Sequence, residues 1–312
     1  MYDRRYQSAS ALLYDPQSAM RYNTRIALLN IGFGAVEAVN DYSEFIERME
    51  EGRYDLVIGD SRSDSGDTCE MVRKIRQNGI GKNPFVTVIV TLWDTAPEQV
   101  NTTIEAGADD LIMRPMSSLN LRDRVVGLVH SRKPFIVTGD YVGPERRQIV
   151  RGLTRVSPMI VPNSLQAKVE SRPEFDATPE NIEAALRAVN DRKITIYTEK
   201  FLRSSSRILS LATDLTQIDE RQALVRDMQS MNRDLEKRIE GTEFEHVLSL
   251  CDALDGVLAR IAGSAADLKE QEKELLLQIP FAVHKACQEL RQSADLAFDI
   301  QDISSQVKTA HQ

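Results

Sequence analysis

Short apolar runs alternate with amphipathic stretches of helix length through the first 131 residues. Ser10–Asp15 (SALLYD), Gly34–Val39 (GAVEAV), Asp55–Asp60 (DLVIGD), Phe85–Thr91 (FVTVIVT) and Asp110–Pro115 (DLIMRP) read as five strands. Strands that alternate with helical stretches predict a doubly wound α/β sheet. Parallel neighbours need long crossovers, and the crossover helices cover both faces. In such sheets the chemistry collects at the carboxyl edge of the strands. Here that edge carries Asp15, Asp60, Thr91 and Arg114, which makes two carboxylates, a hydroxyl and a cation.

The pattern then changes twice. Residues 132–178 show little periodicity and hold Pro134, Pro144, Pro158, Pro162 and Pro173, with Pro179 at the border. They read as a Pro-rich linker in which residues 133–147 pack down locally. From Pro179 onward the sequence is helical, and Pro280 is the only later proline. Ile208, Leu211, Leu215 and Ile218 alternate at spacings of three and four. The same rhythm runs through Phe244, Val247, Cys251, Leu254, Leu258, Ile261, Ala265 and Leu268, and again through Leu296, Ile300, Ile303, Val307 and Ala310. Sustained rhythm of this kind predicts an all-α bundle or coiled coil that pairs across a homodimer. Pro179-Glu180 suits a helix start, Gly241 separates two helices, and Pro280 starts or kinks the last one. The expected organisation is therefore a sheet domain over 1–131, a linker over 132–178 and a helical domain over 179–312.

Charge narrows the partners. The chain of 312 residues carries a formal net charge of −8, with a pI near 5.2. Residues 1–131 carry −5, residues 132–178 carry +3 and residues 179–312 carry −6. That balance argues against nucleic acid and against an anionic membrane surface as main partners. Cys69, Cys251 and Cys287 lie far apart without CxxC spacing, as expected of reduced apolar residues in a cytoplasmic protein. No apolar run approaches ~18 residues, and no apolar core follows the first ten residues, so neither a membrane span nor a signal peptide is expected.

Several motifs in order give the edge cluster a family. DLVIGD followed by GDTCEMVRKIR, then VIVTL, then AGADDLIMRP resemble the receiver domain of two-component response regulators over residues 10–131. The resemblance implies a flavodoxin-like fold with Asp60 as phosphoacceptor, Thr91 as switch hydroxyl and Arg114 where the family has a lysine. It also implies magnesium held by Asp15 and Asp60, with a sensor histidine kinase or phosphotransfer protein as donor. The chemistry is coherent, since a carboxylate attacking an anionic phosphoryl donor needs cations to absorb the developing charge. This sequence departs from the family's pattern in three places. Pro16 replaces a second acid after Asp15 and should weaken magnesium binding. Arg114 keeps the charge of lysine but has a bulkier, forked geometry that pairs with phosphate, or with the Asp60 carboxylate when no phosphate is present. The loop Ser61–Asp67 lacks the usual proline, and its Asp64 is either a solvated carboxylate or a partial substitute for the missing ligand. His130 is expected at the surface.

A second resemblance is short. Asp295, Asp299, Asp302, Gln306 and Thr309 form an unusual acidic stripe, and Gln301–Gln306 (QDISSQ) resembles the active helix of CheZ-type chemotaxis phosphatases. That likeness implies that Asp302 engages a receiver's basic group and Gln306 orients an attacking water. An exposed polar face of a bundle helix explains the same residues. His246 and His284 lack the small or basic neighbours of a phosphotransfer histidine. Tyr141–Arg147 (YVGPERR) resembles a short motif found beside bacterial signalling domains, from which no function is carried over.

Three functional readings follow. In the first, Asp60 accepts phosphate and controls a helical output that acts by protein contact. In the second, the helices are a phosphatase acting through Asp302 and Gln306. In the third, a degenerate receiver serves as a dimeric scaffold.

Overall fold

The computed structural model describes residues 2–61, 66–145, 157–213, 215–263 and 268–309, with Leu215 and residues 290–309 described by backbone alone. The chain divides into two compact units, Met1–Val189 and Asn190–Gln312.

In the first unit, five strands alternate with five helices: β1 (Ser10–Tyr14), α1 (Ser18–Ile31), β2 (Ala35–Val39), α2 (Tyr42–Glu51), β3 (Leu56–Asp60), α3 (Thr68–Arg76), β4 (Thr87–Leu92), α4 (Pro97–Ala106), β5 (Asp110–Met113) and α5 (Ser118–His130). All pair in parallel in the order β2-β1-β3-β4-β5. The expected doubly wound sheet is present, and each expected strand lies where the apolar runs place it. Side-chain alternation along the strands builds two cores. Ala11, Leu13, Leu56, Ile58, Ile89 and Ile112 face α1 and α5, whereas Leu12, Tyr14, Val57, Val88, Val90 and Leu92 face the residues of α2, α3 and α4. Because β1 and β3 are neighbours while the chain first turns outward to β2, the topology reverses between them. The crevice of a doubly wound fold opens at such a switch point.

Residues 132–145 and 157–178 pack against the sheet domain within the same unit. β6 (Phe135–Val137) and β7 (Val142–Pro144) form an antiparallel hairpin. α6 (Ser164–Glu170), capped by the Asn163 side chain, adds Leu165 and Val169 to the core that contains Leu121, Val125 and Val129. Local packing within residues 133–147 was expected, whereas α6 was not, since a seven-residue helix is too short to print a period. Gly107 marks the contact with the hairpin. It has φ +94°, and a Cβ there would stand 2.8 Å from the Val142 carbonyl oxygen. Gly107→Ala combines left-handed strain with that clash, so it should destabilise the unit by about 1–3 kcal/mol, read as a lower urea midpoint.

In the second unit, the later part of α7 (Pro179–Ser210) joins α8 (Ile218–Ile239), α9 (Leu248–Ala262) and α10 (Glu270–Thr309). Their buried faces make one core, with Ile194, Phe201, Val225, Leu235, Cys251, Leu254, Leu276 and Val283 among its members. Buried Asn232 donates from Nδ2 to the Cys251 carbonyl at 2.8 Å, which ties α8 to α9. Gly241 ends α8 with φ +68°, as its position suggested.

Two details correct the sequence reading. The Ile208–Ile218 run is not one helix: α7 stops at Ser210, residues 211–213 turn, and α8 starts at Ile218. Leu211 and Ala212 remain buried in that turn, so the apolar rhythm continues across a break in the helix. Of the two expected places for Pro280 the helix start is ruled out: it lies inside α10, which runs through it from Glu270 to Thr309. It is buried next to Ile279 in the bundle, where packing offsets the lost backbone hydrogen bond.

Candidate functional site

The strand ends do converge at the switch point. Asp15 follows β1, Asp60 ends β3, Thr91 lies in register with Asp60 on β4, and Arg114 follows β5. All four are buried. Local geometry fixes each of them. The Arg114 amide donates to the Leu92 carbonyl at 2.8 Å, extending the β4–β5 ladder by one residue. Thr68, at the start of α3, donates its hydroxyl to the Asp60 carbonyl at 2.6 Å. Asp15 accepts from the Gln17 amide at 2.9 Å through Oδ1, holding the turn at Pro16.

Arg114 reaches across β4 and β3, and its first partner is Asp15 rather than Asp60. Nη2 donates to Asp15 Oδ2 at 2.5 Å, whereas Nε stands 3.4 Å from Asp60 Oδ2, at ion-pair range. The expected pairing with Asp60 is thus the weaker half of a bridge over both carboxylates. The reason is reach. A guanidinium on the far side of β4 has donors separated widely enough to meet two acids on adjacent strands. Burial pushes the Asp15 carboxyl above the ordinary carboxylate range, against the pull of Arg114 and the Gln17 amide.

A residue the sequence reading missed completes the cluster. Trp93, the only tryptophan in the chain, donates Nε1–H to Asp60 Oδ2 at 2.9 Å. The Arg114 guanidinium carbon lies over its ring, 5.4 Å from the centroid. The available signal was position, since Trp93 lies two residues past Thr91 on the edge already singled out.

Among the described residues two buried polar atoms at this edge make no hydrogen bond, the Thr91 hydroxyl oxygen and Arg114 Nε, the latter keeping only its ion-pair contact with Asp60. Leaving a buried donor unmade costs about 1–3 kcal/mol, so a site that keeps two of them beside a carboxylate is suited to an incoming anion.

Among the described residues no group of three or more His, Cys, Asp and Glu is arranged to hold a metal ion. Two carboxylates do meet here, however, and magnesium is commonly held by one or two carboxylates with waters and phosphate oxygens. The donor set therefore fits that ion, with Pro16 contributing no side-chain ligand. Asp64 lies outside the described residues, as do the side chains of Asp302 and Gln306 and the arginines Arg146 and Arg147. His130 is largely exposed and meets Glu170 at 2.5 Å. His246 bonds the Glu243 carbonyl, and His284 bonds Thr198.

Comparison with known proteins agrees on the first unit. Residues 11–126 match the family model described as the response regulator receiver domain. The response regulator MprA of Mycobacterium avium is 26% identical over 154 residues, covering 47% of this chain and 65% of that protein. The uncharacterized transcriptional regulatory protein YclJ of Bacillus subtilis is 33% identical over 110 residues, covering 35% of this chain and 46% of that one. This chain thus spans less than two thirds of those relatives. The chemotaxis response regulator CheY4 of Vibrio cholerae superimposes with a TM-score of 0.35 at 22% identity, covering 38% of this chain and 96% of that structure. The receiver domain of sensor histidine kinase PA1611 from Pseudomonas aeruginosa, described with magnesium coordinated in its active-site cleft, gives a TM-score of 0.34 at 20% identity, covering 38% and 95%. Family model and five-stranded parallel sheet together make residues 11–126 of this chain a response regulator receiver domain.

Proposed function

We propose that this chain is a two-component response regulator in which Asp60 accepts a phosphoryl group and the helical unit transmits the result by protein contact. The observation that supports it most is a pair of buried donors that make no hydrogen bond among the described residues: Thr91 Oγ1, on the β4 residue in register with Asp60, and Arg114 Nε, 3.4 Å from the Asp60 carboxylate. In the reaction, an Asp60 carboxylate oxygen attacks the phosphorus of a phosphohistidine or a small acyl phosphate. The new O–P bond forms as the bond to the leaving group breaks, and that group departs with the electron pair. Thr91 donates to a phosphoryl oxygen, and Arg114 neutralises the charge that spreads over the others. Asp15 and Asp60 would hold magnesium, which supplies further charge neutralisation when bound. Donors of this class are a sensor histidine kinase or a phosphotransfer protein.

The helices suit a protein-binding output, and pairing between two copies through α10 follows from the heptad rhythm of residues 296–310. Among the described residues no helix is long and apolar enough to cross a membrane. The reading is tested by exposing the full chain to acetyl phosphate and magnesium. Wild type should acquire a base-labile, hydroxylamine-sensitive phosphoryl group that Asp60→Ala lacks. Equal labelling of the two proteins would refute the assignment.

A further inference from the structure

Trp93 contacts both partners of the charge pair in the edge cluster. Its Nε1–H is bonded to Asp60 Oδ2 at 2.9 Å, the same oxygen that Arg114 Nε approaches at 3.4 Å. Its ring supports the guanidinium, 5.4 Å from centroid to Cζ, while Nη2 of that guanidinium holds Asp15 at 2.5 Å. An indole N–H donates and does not accept, so Trp93 has one polar role toward a carboxylate. Its ring face is attracted to the cation it supports by about 0.5–2 kcal/mol. The two contacts act on one another. Moving the indole removes one donor from Asp60 Oδ2 and also removes the surface on which the guanidinium rests.

We infer that Trp93 is a positioning residue that holds Arg114 across Asp15 and Asp60, so that an internal cation occupies both carboxylates and a divalent ion must compete with it. The inference rests on the reading that these carboxylates take magnesium. With Pro16 where a third acid would be expected, a single guanidinium offsets half of the charge of the two carboxylates. The affinity for a divalent ion is then set by how firmly the guanidinium is held, and Trp93 determines that.

The test is a magnesium titration of the full chain by calorimetry, comparing wild type with Trp93→Phe and Trp93→Ala. Phenylalanine keeps a ring face and loses the N–H, whereas alanine loses both. Magnesium should bind roughly 2- to 30-fold more tightly to Trp93→Ala than to wild type, the fold-change equivalent of the lost ring–cation attraction. Trp93→Phe should fall between them. In wild type the emission of the single tryptophan should change with the midpoint found by calorimetry. A role confined to packing would lower thermal stability without this ordering. Equal or weaker magnesium binding in folded Trp93→Ala overturns the inference, as does the absence of magnesium binding in all three. Should the alanine variant fail to fold, Trp93→Phe decides alone, with unchanged affinity against the inference. Labelling by acetyl phosphate separates the two readings. A protein that shows the affinity ordering yet stays unlabelled retains the latch and loses the phosphoacceptor. One that labels with unchanged magnesium dependence in the variants loses only the latch.

Discussion

Replacing Asp109 by asparagine should cost the first unit about 3–5 kcal/mol, the range for breaking a buried ion pair and stranding its partners. Asp109 is the centre of a buried charge cluster below β4 and β5. Its Oδ2 accepts from Arg76 Nη2 at 2.8 Å and from the Val88 amide at 2.7 Å, and its Oδ1 accepts from Arg132 Nε at 2.8 Å. Arg76 also donates to the carbonyls of Pro84, Val86 and Gly107, while Arg132 donates to that of Pro162. The two guanidinium carbons lie 5.1 and 4.9 Å from the centroid of Phe135. One carboxylate therefore holds together α3, β4, β5 and the segment after α5. Asparagine keeps the size but removes the charge, leaving two buried cations close together.

The pH dependence has a definite sign. Burial pushes the Asp109 carboxyl up, but Arg132 and Arg76 outweigh it and hold the group below the ordinary value of 3.8. The folded state then binds fewer protons than the unfolded chain, so the stabilisation is complete above about pH 3.8 and fades as pH falls through the lower folded value. Urea unfolding followed by Trp93 emission, which reports only this unit, should show the full loss for Asp109→Asn near neutrality. The gap from wild type should narrow in stronger acid.

Arg114→Ala should lower the rate of Asp60 phosphorylation by roughly 10²–10³-fold, the usual cost of deleting one preorganised group at developing charge. Its guanidinium lies 3.4 Å from Asp60 Oδ2 and bridges to Asp15. Arg114→Lys should lose less, because charge remains while the two-carboxylate bridge and the stacking on Trp93 do not. Initial labelling rates at saturating magnesium measure this. Magnesium affinity should move the other way and tighten in Arg114→Ala, since Asp15 and Asp60 lose their internal cation. A fall in both quantities would mean that the variant disturbs the fold instead.

Much of this architecture is legible in the sequence because parallel strands buried on both faces print continuous apolar runs. Those runs located all four strand-end residues, Asp15, Asp60, Thr91 and Arg114. Partner choice within the cluster was not legible. That Arg114 meets Asp15 first depends on strand order and side-chain reach, and neither leaves a period in the chain. Trp93 lies past the last residue of β4, where a single aromatic has no pattern to join. Asp109 belongs to the AGADD motif, but one of its partners, Arg132, comes from a segment whose prolines suggested a linker. At Ile208–Ile218 the spacing of apolar residues matched one helix because both sides of the turn feed a common core.

Trapping the acyl phosphate shows whether Asp60 carries the phosphoryl group. The full chain is labelled with acetyl phosphate and magnesium, reduced with borohydride and sequenced by tandem mass spectrometry. Reduction converts a phosphorylated aspartate to homoserine, so homoserine is expected at position 60. Labelled protein with Asp60 intact and homoserine elsewhere, or wild type that takes no label, would contradict it.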